Sequence, residues 1–335
     1  VDVTLHIPSW ATALISDFTD MHRRPQAVDA GKERTLSFQL PDQARFEYAF
    51  LDAEGRVRAD PEVGPNGENP WYPEVSELRG PNYAPHPLAV PPVPQVPWLV
   101  QRHRIESRAF ESVRRVVLLS PPDARGQLPV IVLHDGIAYH RLARSGDLLA
   151  ELNRVGRSCP AHLVFVEPEE RLREYAWDDR HHRFVHDEVR PWVADQVATG
   201  AGWWAMGASL GALAAANLAL REPDAWTGVI AQAGAFLGSP DVPRFHGVEH
   251  SWLLDQVRAG AGSHLRWLLD VGTLDWSLDI NRRIRDTLDA QGTDLYYRER
   301  AAGHNWRTWR DALPEMIQAA LDPHAEGGCG QRLSS

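Results

Sequence analysis

A chain of 335 residues with 43% hydrophobic content is long enough for two domains and too apolar to be disordered. Its net charge of −10 and pI near 5.8 argue against a nucleic-acid partner, which calls for a basic face. No apolar run reaches membrane-spanning length, so no membrane partner is expected.

Residues 1–85 read as all-β. Short alternating runs lie at Val3–Ile7, Ala13–Ile15, Thr35–Leu40 and Phe46–Leu51, separated by turn signals such as Asp29-Ala30-Gly31, Pro41-Asp42 and Ala53-Glu54-Gly55. That spacing predicts a small β-sandwich. Seven prolines fall between Pro81 and Pro97, and since proline removes donors and favours extended chain, residues 86–100 read as a stiff proline-rich linker.

Beyond residue 100 the pattern changes. Val116–Leu119, Val130–Leu133, Leu163–Val166 and Trp203–Met206 are apolar runs without alternation, as expected of strands buried on both faces. Helical stretches lie between and after them, at Ser145–Val155, Phe184–Val197, Leu210–Leu220, Asn281–Gln291 and Trp306–Leu321. In Phe184–Val197 the residues Val185, Val189, Trp192, Val193 and Val197 share one face. Alternating strands and helices over 101–322 predict an α/β domain with a mainly parallel sheet flanked by helices. Residues 323–335 read as a flexible tail.

Gly207-Ala208-Ser209-Leu210-Gly211 stands between an apolar strand and an Ala-rich helix. A nucleophile at a sharp strand-to-helix turn needs small residues two before and two after it, which assigns Ser209 as a nucleophile. Its base is His304 in Ala302-Gly303-His304-Asn305-Trp306, a loop between the strand Asp294–Arg300 and the last helix. The acid that orients the imidazole is expected between the two in sequence. Asp275, just past the strand Leu268–Gly272, is the assignment; Asp270 within the strand and Asp279 at the next helix are the alternatives. An oxyanion hole requires two amides. One is that of Leu210; the other comes from His134-Asp135-Gly136-Ile137, with Gly136 and Ile137 both open.

Several of the thirteen Trp lie near these segments (Trp203, Trp204, Trp276, Trp306, Trp309), and each reads either as core or as the wall of a pocket for a flat ligand. His181, His182 and His186 offer no obvious third metal ligand, so neither metal nor cofactor is expected. Cys159 and Cys329 have no metal-ligand spacing and suggest no disulfide framework. With no visible signal segment, a cytoplasmic setting is expected.

The segments LPVIVLHDG, EPEERLREY, FVHDEVRPWV, MGASLGALAAANLALREPDAWTGVIAQAG and DVGTLDWSLDINRRIRDTLDAQG resemble the enterochelin (ferric enterobactin) esterases and their relatives. LISDFTDM, FEYAFLDAEG and NPWYPEVSELRGPNY are similar to the Ig-like N-terminal domain of that group, so the resemblance runs over about residues 1–321. It implies an α/β-hydrolase fold preceded by an Ig-like sandwich, with Ser209, Asp275 and His304 as triad. It also implies Arg171 near the site and Glu174 paired inside the fold; with the Trp and Arg content near the presumed pocket, Arg171 and Trp306 are the expected substrate contacts. The implied activity is hydrolysis of a small-molecule carboxylic ester through an acyl-Ser intermediate, on siderophore or aromatic acyl esters. The alternatives are a polysaccharide-directed feruloyl or acetyl esterase and a non-catalytic ligand-binding protein that retains the fold. The oligomeric state is left open.

Two departures from that family count. Its GGHD-like loop is Ala302-Gly303-His304-Asn305 here. Its N-terminal domain resembles glycogen-binding modules, yet the place of a sugar-stacking Trp is held by Met21 or His22. Glycan binding is therefore not expected, and Trp10 and Trp71 read as packing inside the domain or against the catalytic part.

Overall fold

The non-alternating runs after residue 100 lie side by side in one eight-stranded sheet. Its strands are β1 (Leu99–Ser107), β2 (Ser112–Ser120), β3 (Leu128–His134), β4 (His162–Val166), β5 (Thr199–Ala208), β6 (Gly228–Gln232), β7 (Arg266–Gly272) and β8 (Leu295–Arg300). They are ordered β8-β7-β6-β5-β3-β4-β2-β1. The pairs from β4 through β7 are parallel, while β1 and β2 form an antiparallel hairpin joined to β4. Parallel strands need covering on both faces, and β3, β4 and β6 are buried along their whole length. The helices used below are α1 (Gly136–Arg141), α2 (Ser145–Arg154), α3 (Arg171–Tyr175), α4 (Leu210–Arg221), α5 (Leu278–Ala290) and α6 (Trp306–Ala320).

This computed structural model describes residues 1–28, 34–94, 97–243 and 247–323. The turn signal at 29–31 and residues 324–335 of the expected tail lie outside them. The chain divides into two compact units. The second contains Pro87–Asp270, Ile280–Tyr297 and the chain from Ala312 onward; the first contains Val1–His86 together with Val271–Asp279 and Arg298–Asp311. The expected single unit over 101–322 is thus corrected: the segments that follow β7 and β8 belong with the N-terminal residues.

In the first unit, Asp2–His6 pairs antiparallel with Thr35–Gln39, and a second sheet is built on Arg45–Leu51. Leu5 from one sheet and Leu14, Phe46, Tyr48 and Phe50 from the other share a core, against which Leu274 and Ala301 also pack. Those two apolar contacts are why the late segments join this unit, since burying each removes apolar surface from water. Met21 is buried with Ile15, Ala49 and Val75, so the position equivalent to a stacking aromatic is a core position. Trp10 remains 39% exposed, with its ring perpendicular to that of Phe50.

Other differences have local causes. The expected helix Phe184–Val197 is a π-helical turn, Phe184–Val189, between α-helical Asp179–Arg183 and Arg190–Gln196. Pro191 near the start of the last piece cannot donate and crowds the preceding turn, which favours the wider winding. Strand β1 begins within the expected linker, at Leu99, and its outward charges hide it from a search for apolar runs. Cys159 is buried, while Cys329 lies outside the described residues. Among the described residues no helix is long and apolar enough to cross a membrane.

Behind the sheet's β3 end, His134 and His181 are buried with ring centroids 5.1 Å apart. The His134 Nδ1–H donates to the Met206 carbonyl at 2.9 Å. Burial pushes His134 down to about 4 and His181 well below its ordinary value. An unfolded His takes up a proton near ~6.5, so between that value and about 4 acid protonates His134 only in the unfolded chain. This part of the stability is complete above about 6.5 and is lost as pH falls toward the folded value. Thermal midpoints should fall from pH 7 to pH 4.5, with a shallower slope in His134→Gln; equal slopes would contradict the assignment.

Candidate active site

Strand β5 runs into α4 through Ser209, whose backbone is held at φ 56° and ψ −120°. A side chain at positive φ costs about 1–3 kcal/mol and persists only where the surroundings enforce it. Here the Ser209 N–H donates to the Gln232 carbonyl at 2.8 Å, and its own carbonyl accepts from the amides of Ala212, Leu213 and Ala235, each at 3.1 Å. The flanking glycines are steric necessities. A β-carbon at Gly207 would lie 2.8 Å from the Ala212 nitrogen and closer still to the Gly211 backbone; one at Gly211 would lie 2.9 Å from Asp135 Oδ2. Leu210 opens α4, so its amide has no acceptor within the helix and points at the elbow's end.

The turn from β3 into α1 abuts this elbow. Asp135 stands at φ 58° and its N–H donates to the Tyr175 hydroxyl at 2.8 Å. The Ile137 N–H donates to Glu167 at 2.9 Å, which commits one of the two expected oxyanion amides to a carboxylate. Burial pushes the Glu167 carboxyl above its ordinary range. The Gly136 amide donates to no acceptor among the described residues. A β-carbon at Gly136 would press on Phe165 at 2.7 Å, so the turn holds this close approach only with glycine.

Arg171 lies in α3, and its guanidinium grips Asp135 bidentately, Nε to Oδ1 and Nη2 to Oδ2, both 2.7 Å. Nη2 also donates to the Ala208 carbonyl at 3.3 Å, one residue before Ser209. Arg171, expected to contact substrate, thus grips Asp135 and ties the turn after β3 to the end of β5. Glu174 accepts from Arg114 at 2.7 Å and from the amides of Glu169 and Glu170, so it is paired inside the fold.

The expected acid and base, Asp275 and His304, lie in the first unit. His304 Nδ1–H donates to Asp275 Oδ2 at 2.8 Å, and Asp275 Oδ1 accepts from the amide and hydroxyl of Ser277, both 2.8 Å. A carboxylate on Nδ1 fixes the neutral tautomer and leaves Nε2 as the basic nitrogen. The Asp275 side chain is fully covered while that of His304 is 16% exposed, an acid shielded from water beside a base that can be reached. Trp276 and Trp309 wall the imidazole at 5.2 and 5.1 Å. Asp270 is fully buried within β7, and Asp279 sits in the first turn of α5. Trp306, expected to contact substrate, is only 3% exposed and packs on Trp71 and Trp309. No three His, Cys, Asp or Glu gather as metal ligands among the described residues.

The loop that carries His304 is braced by N-terminal residues not anticipated from sequence. A β-carbon at Gly303 would collide with the Asp17 carboxyl. Asn305 Oδ1 accepts from the Thr308 amide at 3.0 Å, capping α6, and also from Arg45, while its Nδ2 donates to Asp17 at 3.4 Å. Arg45 is buried and donates further to Glu47 at 2.8 Å, Glu77 at 2.9 Å and Thr308 at 2.9 Å. Burial, then the charge of Glu47, raise the Asp17 pKa well above the carboxylate range. An amide beside His304 suits this setting, because Asn305 donates to one carboxyl and accepts from the cation.

Removing Arg45 leaves Glu47 and Glu77 buried without their cation. Arg45→Met should cost about 3–5 kcal/mol and Asn305→Ala about 1–2 kcal/mol, both accompanied by lower kcat. Urea unfolding and steady-state kinetics check this; a neutral Arg45→Met would contradict the brace.

Residues 107–320 match the family described as "Putative esterase". The enterobactin esterase from Shigella flexneri, solved in the presence of enterobactin, is 20% identical with TM-score 0.73, covering 96% of this chain and 92% of that one. The ferric enterobactin esterase from Salmonella typhimurium is 18% identical with TM-score 0.70, covering 95% and 92%. An IroE-like serine hydrolase from Shewanella oneidensis is 17% identical with TM-score 0.57, covering 68% of this chain and 82% of that one. A search of curated proteins returned no match. The chain belongs to the Putative esterase family, a carboxylic ester hydrolase of the α/β-hydrolase fold.

Proposed function

We propose that the protein is a serine esterase that works through an acyl-Ser209 intermediate. The observation that carries this reading is the backbone of Ser209, held at positive φ between strand and helix with glycine on either side. In the proposed cycle Ser209 Oγ attacks the ester carbonyl while His304 Nε2 takes its proton. The carbonyl oxygen becomes an oxyanion that accepts from the amides of Leu210 and Gly136. Collapse expels the alcohol, which receives the proton from His304; water then attacks the acyl-enzyme by the same route and releases the acid. Asp275 holds the imidazole in one tautomer and stabilises the imidazolium.

The substrate class we propose is a siderophore-type or other aromatic acyl ester, supported by the enterobactin esterases among the full-length structural neighbours. A polysaccharide-directed esterase is disfavoured because Met21 is core.

Ser209→Ala should lower kcat by roughly 10³-fold or more with an unchanged circular-dichroism spectrum. The assay panel is a triscatecholate siderophore, methyl ferulate and 4-nitrophenyl acetate through octanoate. Asp275→Asn should cost far more than Asp270→Asn in equally folded protein. A Ser209→Ala enzyme with most of its activity would sink the reading.

A further inference from the structure

A cavity of about 550 Å³ opens between the β1–β2 hairpin and α1, and Gly136 and Ile137 of the oxyanion turn form part of its wall. Arg102, Arg104, Arg115 and Arg141 line it. We infer that this cavity is a binding site for a small, multiply charged, oxygen-rich anion.

The argument begins with the strand register. Arg104 lies directly opposite Arg115, and like charges placed so destabilise a sheet. Arg102 shares their face, because side chains alternate along a strand. Arg114, which also lines the cavity, is neutralised: it is buried on Glu174 and lies 3.7 Å from Glu169. The other four guanidiniums have no carboxylate in ion-pairing range among the described residues. Acidic residues outnumber basic ones 45 to 35, so that vacancy runs against composition.

The cavity's two carboxylates are engaged elsewhere, Glu167 on the Ile137 amide and Glu169 near Arg114. His140, also in the wall, has its pKa lowered by burial and then by the charges of Arg102 and Arg141, which keeps it a neutral hydrogen-bonding partner. The volume suits a small ligand. Planar guanidiniums favour anions with paired oxygens. Such chemistry is shared by the charged portion of an ester substrate and by a separate phosphoanion; only the first source depends on the esterase reading.

The probe is inorganic tripolyphosphate, titrated calorimetrically into the full chain at low salt, with acetate as the singly charged control. Saturable one-to-one binding below about 1 mM (roughly −4 kcal/mol) is expected for tripolyphosphate alone, weakening as salt rises. The Arg104→Gln, Arg115→Gln double variant should bind at least ~10-fold more weakly with an equal or higher thermal midpoint, since it removes a like-charge pair. Arg141→Gln, on α1 rather than the hairpin, is the second variant and should also weaken binding. Absence of saturable binding, or undiminished binding in both variants, overturns the site. Competition between tripolyphosphate and a carboxylate-bearing ester would support the site with substrate as its occupant; binding without competition would support it with a separate ligand. Because the titration needs no turnover, its failure is distinct from failure of the esterase reading.

Discussion

The backbone of Ser209 is the constraint on which the second unit is built. A residue with a β-carbon is held at φ 56°, and it stays there because its amide and carbonyl are bonded to β6, α4 and the chain after β6. Gly207 and Gly211 make room for the turn, and Gly211 in turn brings Asp135 against it. Arg171 then locks Asp135 in place and touches the carbonyl of Ala208. The turn after β3 and the Ser209 elbow are therefore one hydrogen-bonded assembly, with an arginine spending its fork on the scaffold.

The acid and base are held by a different device. Their segments pack with the N-terminal β residues through Leu274 and Ala301, and the His304 loop is tied to a buried Arg45 through Asn305. Buried ion networks are poor sources of stability but costly to break. Such a network sets position: Arg45 has one arrangement that serves Glu47, Glu77, Thr308 and Asn305 together. The N-terminal residues thus do structural work for the imidazole, and the loss of a sugar-stacking aromatic at Met21 is consistent with that use.

The eight-stranded sheet was legible because strands buried on both faces leave unbroken apolar runs, and the sharp turn at Ser209 because a strand-to-helix elbow imposes glycine spacing. Asp275 and His304 were assigned from chain order, and the structure brings that pair to 2.8 Å. Arg45 was invisible for a clear reason: in an alternating strand, charged residues are read as outward, yet Arg45, Glu47 and Glu77 all point into the interior. A signal existed in the run Arg45-Phe46-Glu47, where opposite charges stand two apart on one face. Trp306 and Arg171 pose a different difficulty. Composition places a ring or a cation near a site but cannot say whether a neighbour such as Trp71 or Asp135 has already taken it. Strand β1 carries its charges outward at the sheet edge, and β6 is too short to stand out as a run.

The central claim is that Ser209 is an activated nucleophile, and covalent capture tests it most directly. The protein would be treated with a fluorophosphonate, with intact mass measured and the modified peptide mapped. The account predicts one adduct, on the peptide carrying Ser209, formed rapidly in the unaltered chain and slowed by orders of magnitude in His304→Ala. An adduct on another residue, or labelling of Ser209 that is indifferent to His304, would contradict it.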